Sequence, residues 1–161
     1  MKAKTLLDRY LLAKPNVRAL IEWPILIGVG VTGTIFSLPT IPLFPATNVF
    51  GAILLITWFW IHGLSHKVHK QAHEQVESIE KLVTIGIYSR IRHPGYMGLI
   101  LIYLGFTFAW GIVWIFVPAV VFSILTYLTA IKEEEYLKTK FAKEYEDYIR
   151  QVPRRFIPKA F

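Results

Sequence analysis

Two short polar clusters carry the side chains with the clearest chemical potential in this sequence. The first is the segment 86–98, in which Arg90, Arg92 and His93 stand just before Pro94. Proline has no amide proton and disfavours the α region for the residue before it, so a helix is predicted to begin at Pro94 with His93 just outside it. The free amides and the positive end of the helix dipole would lie beside these side chains, and this favours the binding of an anion.

The second cluster is the acidic run Glu133, Glu134 and Glu135. A carboxylate pairs strongly with an ammonium group only where water is partly excluded. Taken alone, such a run is typical of a solvated helix end. Placed opposite the arginine-rich turn, it becomes a candidate binding site for a positively charged group.

Two apolar segments separate the clusters, and their lengths decide where the clusters lie. The segments 96–109 and 112–131 are joined by only a short turn. At a rise of about 1.5 Å per residue, the helices from Pro94 to Gly111 and from Gly111 to Glu133 are about 26 and 33 Å long, close to the hydrocarbon thickness of a bilayer. The sequence therefore predicts a tight membrane hairpin that returns both clusters to the same face.

Two further apolar segments, 19–38 and 46–62, precede the clusters. Apolar residues make up 54% of the chain and lie in runs, so we predict an all-α integral membrane protein with four helical spans in a single domain, 1–161. A C-terminal amphipathic helix is predicted after the fourth span, because apolar side chains recur there at intervals of three and four. These side chains are Leu137, Phe141, Tyr145, Tyr148 and Val152.

The distribution of charge predicts the topology. All 18 lysines and arginines lie in the segments 1–18, 62–95 and 132–161, and none lies in the two loops between spans. The positive-inside rule therefore places both termini and the central polar segment in the cytoplasm. The net charge of +7 is explained by this bias, so no nucleic acid partner is predicted.

Several features outside the two clusters shape the expected structure. The segment 1–18 fits either a cytoplasmic basic flank or a short amphipathic helix on anionic lipid. Glu22 is expected at the membrane interface beside Trp23, with a buried functional carboxylate as the second interpretation. Pro118 is predicted to kink the fourth span. The tail 154–158 is basic and aromatic, and it is expected near lipid headgroups.

Four histidines at intervals of four, three and four predict a stripe along one helix face. They are His62, His66, His69 and His73. A zinc site is one interpretation, but the stripe lacks the neighbouring cysteine or carboxylate pattern of such a site. The chain contains no cysteine, which excludes thiolate ligands and disulfides. Surface or interfacial histidines are therefore preferred, and no metal is predicted.

The motifs Gly-x-Tyr and Arg-His-Pro-x-Tyr-x-Gly, followed by Glu133-Glu134, resemble the signature of the isoprenylcysteine carboxyl methyltransferase and phospholipid methyltransferase superfamily. The resemblance covers about the C-terminal half of the chain, from near His73 to Val152-Pro153. It implies an integral membrane enzyme that uses S-adenosylmethionine in a cytoplasmic site. It also implies a lipophilic methyl acceptor that enters from the bilayer, such as a prenylated cysteine or a lipid headgroup.

The resemblance extends to particular residues. His93, Arg92 and Glu133 are the expected catalytic residues, with Glu133 holding the amino group of the cofactor and Glu134 as its substitute. The expected cofactor-binding residues are His73, Glu80, Lys81, Leu82, Val83, Tyr88, His93, Pro94, Gly95, Tyr96, Glu133 and Glu134. The residues expected to meet the acceptor, from their place beside the cofactor site or their depth in the membrane, are Arg90, Met97, Ile100, Leu125 and Thr129.

Methyl transfer from a sulfonium is an in-line displacement, so the main task of the protein is alignment and exclusion of water. A carboxylate acceptor needs no general base, whereas an amine must first lose a proton. The carboxyl methyltransferases have an arginine one helical turn before the glutamate, and here that position is Thr129. Because of this departure, two functions remain as alternatives. One is a carboxyl O-methyltransferase, which the motifs resemble most, and the other is a phospholipid N-methyltransferase.

Two functions outside methyl transfer also fit a small membrane protein of this composition. One is a non-catalytic four-helix subunit that keeps the methyltransferase motifs without their activity, but the motifs are intact here, which disfavours it. The other is a lipid or sterol reductase. Its nicotinamide cofactor would need more phosphate-binding residues than one short basic turn supplies.

Overall fold

The computed structural model describes residues 5–68 and 79–157, except for the side chain of His66. Within these ranges the regular structure is helical. The α helices are α1 (Leu6–Leu11), α2 (Pro15–Ile35), α3 (Ala46–Val68), α4 (Pro94–Trp110) and α5 (Phe116–Gln151), with short 3-10 turns at Gly86–Ser89 and Val113–Ile115. The predicted cofactor residue His73 lies outside the described residues, as does His69, so the histidine stripe stays a prediction.

Three helices, α2, α3 and α5, are long and apolar enough to cross a membrane, and α4 is an apolar helix of 17 residues. Seventeen residues is about the lower limit for a membrane span. Large apolar side chains point away from the bundle: Ile56, Phe59 and Ile124 are 69%, 71% and 54% exposed. Such surfaces suit contact with lipid. The predicted all-α membrane fold is confirmed, and the chain is a multi-pass membrane protein.

The first three membrane helices differ from the predicted spans in where they begin and end. α2 covers Pro15–Ile35 instead of 19–38, because Pro15 takes the first helical position, where a missing amide proton costs nothing. α3 continues beyond His62 to Val68, since polar residues outside the hydrocarbon can extend a helix. α4 begins at Pro94 and encloses the predicted third span.

The fourth span and the predicted amphipathic helix follow one another without a loop in α5, which covers 36 residues but is kinked at Ala142, where φ is 43° and ψ is −116°. The part before the kink, from Phe116 to Phe141, is about 39 Å long, so its apolar portion, up to Ile131, crosses the hydrocarbon and the remainder extends beyond it. The predicted kink at Pro118 is wrong, because Pro118 lies in the first turn of α5, where no intrahelical hydrogen bond is lost.

The turn between α4 and α5 lies against the loop between α2 and α3. Gly111 ends α4 in the left-handed conformation, with φ of 84°. Its carbonyl accepts a hydrogen bond from the Ile41 amide at 2.7 Å, and the Val113 amide donates to the Pro39 carbonyl at 3.0 Å. The two uncharged loops therefore meet at one end of the bundle, as the charge distribution predicts.

Glycines allow the helices to approach one another. A Cβ atom at Gly51 in α3 would lie 2.3 Å from the Ala109 backbone nitrogen in α4, and one at Gly30 in α2 would lie 2.7 Å from the Trp110 ring. The apolar core of the bundle consists of Leu26, Ile102, Tyr103, Ile112, Ile115, Ala119 and Phe122.

The amphipathic part of α5 packs inward. The side chains predicted for its apolar face lie in or against a second buried cluster. That cluster consists of Ile79, Leu137, Tyr145, Tyr148 and Val152, with Phe141 partly buried against it. This part of α5 therefore caps the end of the bundle opposite the two loops, rather than lying apart from it on the membrane surface.

The N-terminal region folds back onto the bundle. Thr5 and Asp8 form a capping box that starts α1, and Asp8 pairs with Lys132 of α5 at 3.3 Å. Arg18 and Glu22 are only 1% and 2% exposed. The depth of Glu22 in the membrane stays a prediction, but the residue is buried within the protein, which fits the second interpretation, a buried carboxylate. The physical reason is a set of buried hydrogen-bond partners from other helices, which hydropathy along the sequence does not reveal.

Candidate active site

The arginine-rich turn that precedes α4 lies against the segment that follows α5. His93 has φ of −126° and ψ of 61°, so it stands outside the helix that Pro94 begins, which confirms the prediction. The Arg92 and His93 amides donate to the carbonyls of Arg154 and Arg155 at 3.0 and 2.9 Å. The segment after α5 is therefore held against the turn before α4 by backbone hydrogen bonds.

Glu134 lies at the centre of this junction, and its side chain is 3% exposed. Its Oε1 accepts from Nε and Nη2 of Arg92 at 3.0 and 2.9 Å and lies 3.2 Å from Nε2 of His93. Its Oε2 lies 3.0 Å from Nη2 of Arg155. The two polar clusters therefore do return to the same face of the bundle, as predicted.

The charge of Glu134 is fixed by these neighbours. Burial by itself raises the pKa of its carboxyl, but hydrogen bonds from His93 and Arg155 and the charges of His93 and Arg92 outweigh it and lower the pKa to about 2. Glu134 is therefore ionised at neutral pH, and its carboxylate is occupied by the protein's own cationic groups.

Glu133 is adjacent in sequence but has a different environment. The Tyr96 hydroxyl lies beside its carboxylate and is affected by its charge, and Nδ1 of His93 lies 3.9 Å from Oε2. Its side chain is 17% exposed. Within residues 5–68 and 79–157, no lysine or arginine lies within ion-pair distance of it. Glu133 is thus a half-buried carboxylate that can still take a cationic partner.

Aromatic rings form a wall beside these carboxylates. The His93 ring stacks on Tyr96, with centroids 5.5 Å apart, and faces Phe156 at 6.1 Å. Phe156 in turn packs against Tyr127 of α5 at 5.8 Å. The wall provides the apolar, partly dry surroundings in which a carboxylate pairs strongly with a cation.

The two glycines in the first turns of α4 differ in the space beside them. A Cβ at Gly95 would have as its nearest neighbour Oγ of Ser65, at 3.9 Å, whereas one at Gly98 would lie 3.2 Å from the Trp58 ring. The backbone is therefore open to a flat group at Gly95 and covered by Trp58 at Gly98.

Tyr88 links the turn before α4 to neighbouring elements through two hydrogen bonds. Its hydroxyl shares a hydrogen bond with Oγ of Ser65 at 2.8 Å, and its carbonyl accepts from the Tyr148 hydroxyl at 2.7 Å. Burial raises the pKa of Tyr88 to about 12, with the nearby Glu133 charge adding to the effect and the Ser65 hydrogen bond opposing it. Tyr88 is therefore neutral and stands within the field of Glu133.

The remaining predicted site residues are more scattered. Glu80, Lys81 and Arg90 are exposed, whereas Val83 and Leu82 are half-buried, with Leu82 packed against the second apolar cluster. The residues predicted to meet the acceptor also differ in how far they are buried. Met97 and Ile100 are half-buried on α4, Leu125 packs against the apolar core, and Thr129 is buried. Their roles stay predictions.

Sequence reasoning missed two groups of residues near this site. Arg155 and Phe156 belong to the tail that was expected at lipid headgroups, yet they contact Glu134 and His93. Arg18 was expected in a basic flank, yet its Nη1 donates to Oγ1 of Thr129 at 2.7 Å. The spacing of Arg18 and Glu22, four residues apart on one helix, was the available signal for the second group.

A family model described as phospholipid methyltransferase matches residues 46–144. The matched segment is more than half of the chain and runs from the start of α3 to just beyond the break at Ala142 in α5, so it includes the acidic run and the turn before α4. The helices α1 and α2 and the tail that carries Arg155 lie outside it. No curated protein matches the chain.

Proposed function

The chain belongs to the phospholipid methyltransferase family, and from that premise we propose that it transfers a methyl group from S-adenosylmethionine to a lipophilic acceptor drawn from the bilayer. Membership of the family confirms the resemblance of the motifs and makes the protein a membrane methyltransferase. The cofactor, the residues that hold it and the class of acceptor are the parts that we propose.

The observation that carries the proposal is the contrast between the two glutamates. Glu134 is surrounded by Arg92, His93 and Arg155. The residues that the structure describes bring no arginine or lysine to Glu133, whose neighbours there include the Tyr96 hydroxyl and, at 3.9 Å, the His93 ring. Glu133 is therefore the carboxylate that suits the ammonium group of the cofactor. Glu134 acts as a positioning residue, because it fixes the cationic groups around it.

The remaining parts of S-adenosylmethionine also fit the residues present. Nε of Arg155 is a buried donor with no hydrogen-bond partner among the described residues, which suits the carboxylate of the cofactor. The rings of His93, Tyr96 and Phe156 suit the flat adenine base. When bound, the cofactor supplies a methyl group activated by the positive sulfonium.

The protein's own residues then have three tasks. Glu133 holds the ammonium end, so that the methyl group keeps one orientation toward the acceptor. The aromatic wall of His93, Tyr96, Tyr127 and Phe156 excludes water from the reacting atoms. An acceptor carboxylate needs no base, whereas for an acceptor amine the His93 ring would take the proton.

The acceptor would reach this site from the bilayer, while the cofactor would arrive from water. The polar ends of α3, α4 and α5 meet at the end of the bundle that carries the lysines and arginines, so we place the site and both termini on the cytoplasmic side. The family match fits both acceptor classes, a lipid amine and a prenylated cysteine carboxylate, whereas the motifs most resemble those of carboxyl methyltransferases.

Binding of radiolabelled S-adenosylmethionine to the detergent-purified protein tests the proposal directly. Glu133→Gln should weaken binding about 10- to 100-fold, since a hydrogen bond to a charged group contributes about 1.5–3 kcal/mol. Glu135→Gln is the matched control, because Glu135 is 64% exposed on the same helix, and it should leave binding unchanged. If both variants bound like the wild type, Glu133 would have no role in holding the cofactor.

The reaction is tested by transfer of the labelled methyl group to two acceptors in parallel, a membrane lipid extract and a farnesylcysteine analogue. Label in the lipid amine fraction would assign N-methylation, and a base-labile methyl ester would assign carboxyl methylation. Protein that binds no S-adenosylmethionine and labels neither acceptor would instead support a non-catalytic membrane subunit.

A further inference from the structure

One face of the short helix α1 is docked on the rest of the protein. Leu11 is only 3% exposed, and the Tyr10 hydroxyl donates to the Glu22 carboxylate of α2. Asp8 lies 3.3 Å from Nζ of Lys132 in α5, in an ion pair that is partly exposed. A helix of six residues is too short to be stable by itself, so α1 is helical because it is docked.

The opposite face of α1 is exposed and combines apolar with basic side chains. Leu6 and Leu7 are 84% and 50% exposed, and Arg9, one turn after Leu6, is exposed as well. The segment 1–18 contains five lysines and arginines and a single acidic residue, which is the aspartate on the docked face. Apolar and basic side chains on one face are typical of a helix that lies on the surface of an anionic membrane.

The position of α1 fits such a surface. Only residues 12–14 separate it from α2, and Val17 and Leu20 in the first turns of α2 are already 52% and 76% exposed. Apolar side chains exposed this early indicate that α2 meets lipid close to its first residue. A short helix tethered so near to a membrane span needs little affinity of its own to bind the surface, because its effective concentration there is high.

The docked face of α1 is also connected to the proposed cofactor site. Lys132, which pairs with α1, immediately precedes Glu133 on α5. Leu12, directly after α1, packs against the second apolar cluster, which contains Val152. The carbonyl of Val152 accepts a hydrogen bond from Nη1 of Arg92 at 2.6 Å. The docked segment therefore supports both the acidic run and the arginine-rich turn.

The docking of α1 is weak enough to respond to a second interaction. A partly exposed ion pair such as that between Asp8 and Lys132 adds little to stability, and segments held by few buried contacts open more readily than the core of a fold. The attraction of one lysine or arginine to an anionic membrane surface changes an equilibrium about 5-fold. Such a surface can therefore shift α1 toward the docked state.

We propose that the exposed face of α1 binds anionic phospholipids of the cytoplasmic leaflet, and that this binding strengthens the binding of the cofactor. The second part rests on the function proposed above. Headgroup phosphates suit Arg9, while Leu6 and Leu7 enter the apolar boundary beneath the headgroups. The leucines and the arginine share one face only when the segment is helical, which requires docking. Anionic lipid thus favours the docked state, and the docked state supports the residues around Glu133.

Contact with lipid is measured with a nitroxide label on Leu7→Cys, since the chain has no cysteine of its own. The full chain is placed in nanodiscs of phosphatidylcholine, alone or with an equal part of phosphatidylglycerol. With phosphatidylglycerol, the label should relax more with oxygen, which concentrates in lipid, than with a water-soluble nickel chelate. Lys143→Cys, at an exposed position of α5, is the control and should stay accessible to the chelate in both lipids. Equal access of the chelate to both labels would overturn the proposal.

The effect on the cofactor site is measured as the affinity for radiolabelled S-adenosylhomocysteine, which has no net charge and is not itself attracted to the membrane. The wild type should bind it about 5-fold more tightly with phosphatidylglycerol than without. Arg9→Glu should abolish this difference. Leu6→Ser should reduce it, although a side chain that is 84% exposed would have no effect through packing within the protein.

Lys143→Glu is the matched control for Arg9→Glu, because it makes the same change in net charge at an exposed position of α5. It should keep the difference between the two lipids. If it lost the difference as fully as Arg9→Glu, the overall charge of the protein would be responsible and the role of α1 would be refuted. The same conclusion would follow if the wild type bound S-adenosylhomocysteine equally well, or less well, with phosphatidylglycerol.

The two measurements separate this inference from the proposed function. Wild-type protein that binds neither S-adenosylhomocysteine nor S-adenosylmethionine in either lipid would refute the proposed function, while the label on Leu7→Cys would still show whether α1 meets lipid. A label in contact with lipid, together with a cofactor affinity that does not depend on the lipid, would confirm the surface and refute its control of the site.

Discussion

Replacing Glu134 by glutamine removes the negative charge that the guanidinium groups of Arg92 and Arg155 share and that the His93 ring approaches at 3.2 Å, so it should destabilise the fold. The neighbours of Glu134 lower the pKa of its carboxyl from 4.5 to about 2 despite its burial. Lowering the pKa from 4.5 to about 2 corresponds to roughly 3 kcal/mol of stabilisation. In a chain of this size each kcal/mol changes Tm by about 2–4 °C, so Glu134→Gln should lower Tm by about 6–12 °C.

The assay is thermal unfolding of the detergent-purified protein at pH 7, followed by tryptophan fluorescence. Glu135→Gln is again the matched control, because the Glu135 side chain is 64% exposed and its only ion pair among the described residues, with Lys132, is 4.0 Å long. That substitution should change stability by less than about 0.5 kcal/mol, as is usual on the surface. Equal Tm values for the two variants would refute the view that Glu134 holds the junction together.

The pH dependence has a sign that can be worked out in advance. The pKa of the Glu134 carboxyl is lower in the folded state, so its stabilisation is present above about pH 4.5 and is lost as pH falls through about 2. The Tm difference between the wild type and Glu134→Gln should therefore stay constant from pH 7 to about 5.5 and fall by more than half at about pH 3. A difference that persisted unchanged to pH 3 would contradict the low pKa.

Three further predictions concern the wall, the packing and the topology. Phe156→Ala should weaken S-adenosylmethionine binding about 3- to 10-fold, since an aromatic contact contributes about 0.5–1.5 kcal/mol beyond its area; unchanged binding would remove Phe156 from the site. Gly51→Ala should destabilise the protein by about 1–3 kcal/mol, because its Cβ would lie 2.3 Å from the α4 backbone, while Gly63→Ala, with open space beside it, should not. In this cysteine-free chain, cysteines introduced at Thr40 and Trp110 should be labelled from the outer side only, and labelling from the cytoplasm alone would reverse the proposed topology.

The start of α4 could be predicted from sequence because it depends on local rules. The lack of an amide proton at Pro94 and its restriction of His93 act within two residues, and the helix begins there. The hairpin could also be predicted, since the rise per residue and the membrane thickness fix how far each arm extends. The observed ion pair of 2.9 Å between Arg92 and Glu134 is the direct consequence.

The shape of α5 shows where a local rule failed. A proline disrupts a helix only where its missing amide would have been bonded, and Pro118 precedes the point at which such bonds begin. The actual break is at Ala142, a residue whose type gives no sign of a positive φ. Ala142 stands between Leu137 and Tyr145, both buried in the second apolar cluster, and the packing of that cluster is a property of the assembled fold.

The C-terminal tail illustrates a different difficulty. Its arginines and its phenylalanine fit a membrane surface as well as they fit a protein surface, and composition alone does not choose between them. In the fold, the amides of Arg92 and His93 are bonded to the carbonyls of Arg154 and Arg155, because buried amides require acceptors. That pairing brings Arg155 to Glu134, which no spacing in the sequence indicates.

The same reasoning applies to the position of Thr129, where the resemblance led us to expect an arginine. Judged from the sequence alone, the threonine means that α5 supplies no cation at this position, where the carboxyl methyltransferases have an arginine. In the structure a cation is nevertheless present there, because the guanidinium of Arg18, 111 residues away, donates to the Thr129 hydroxyl. The charges around this position therefore have to be read from the assembled bundle rather than from one motif position.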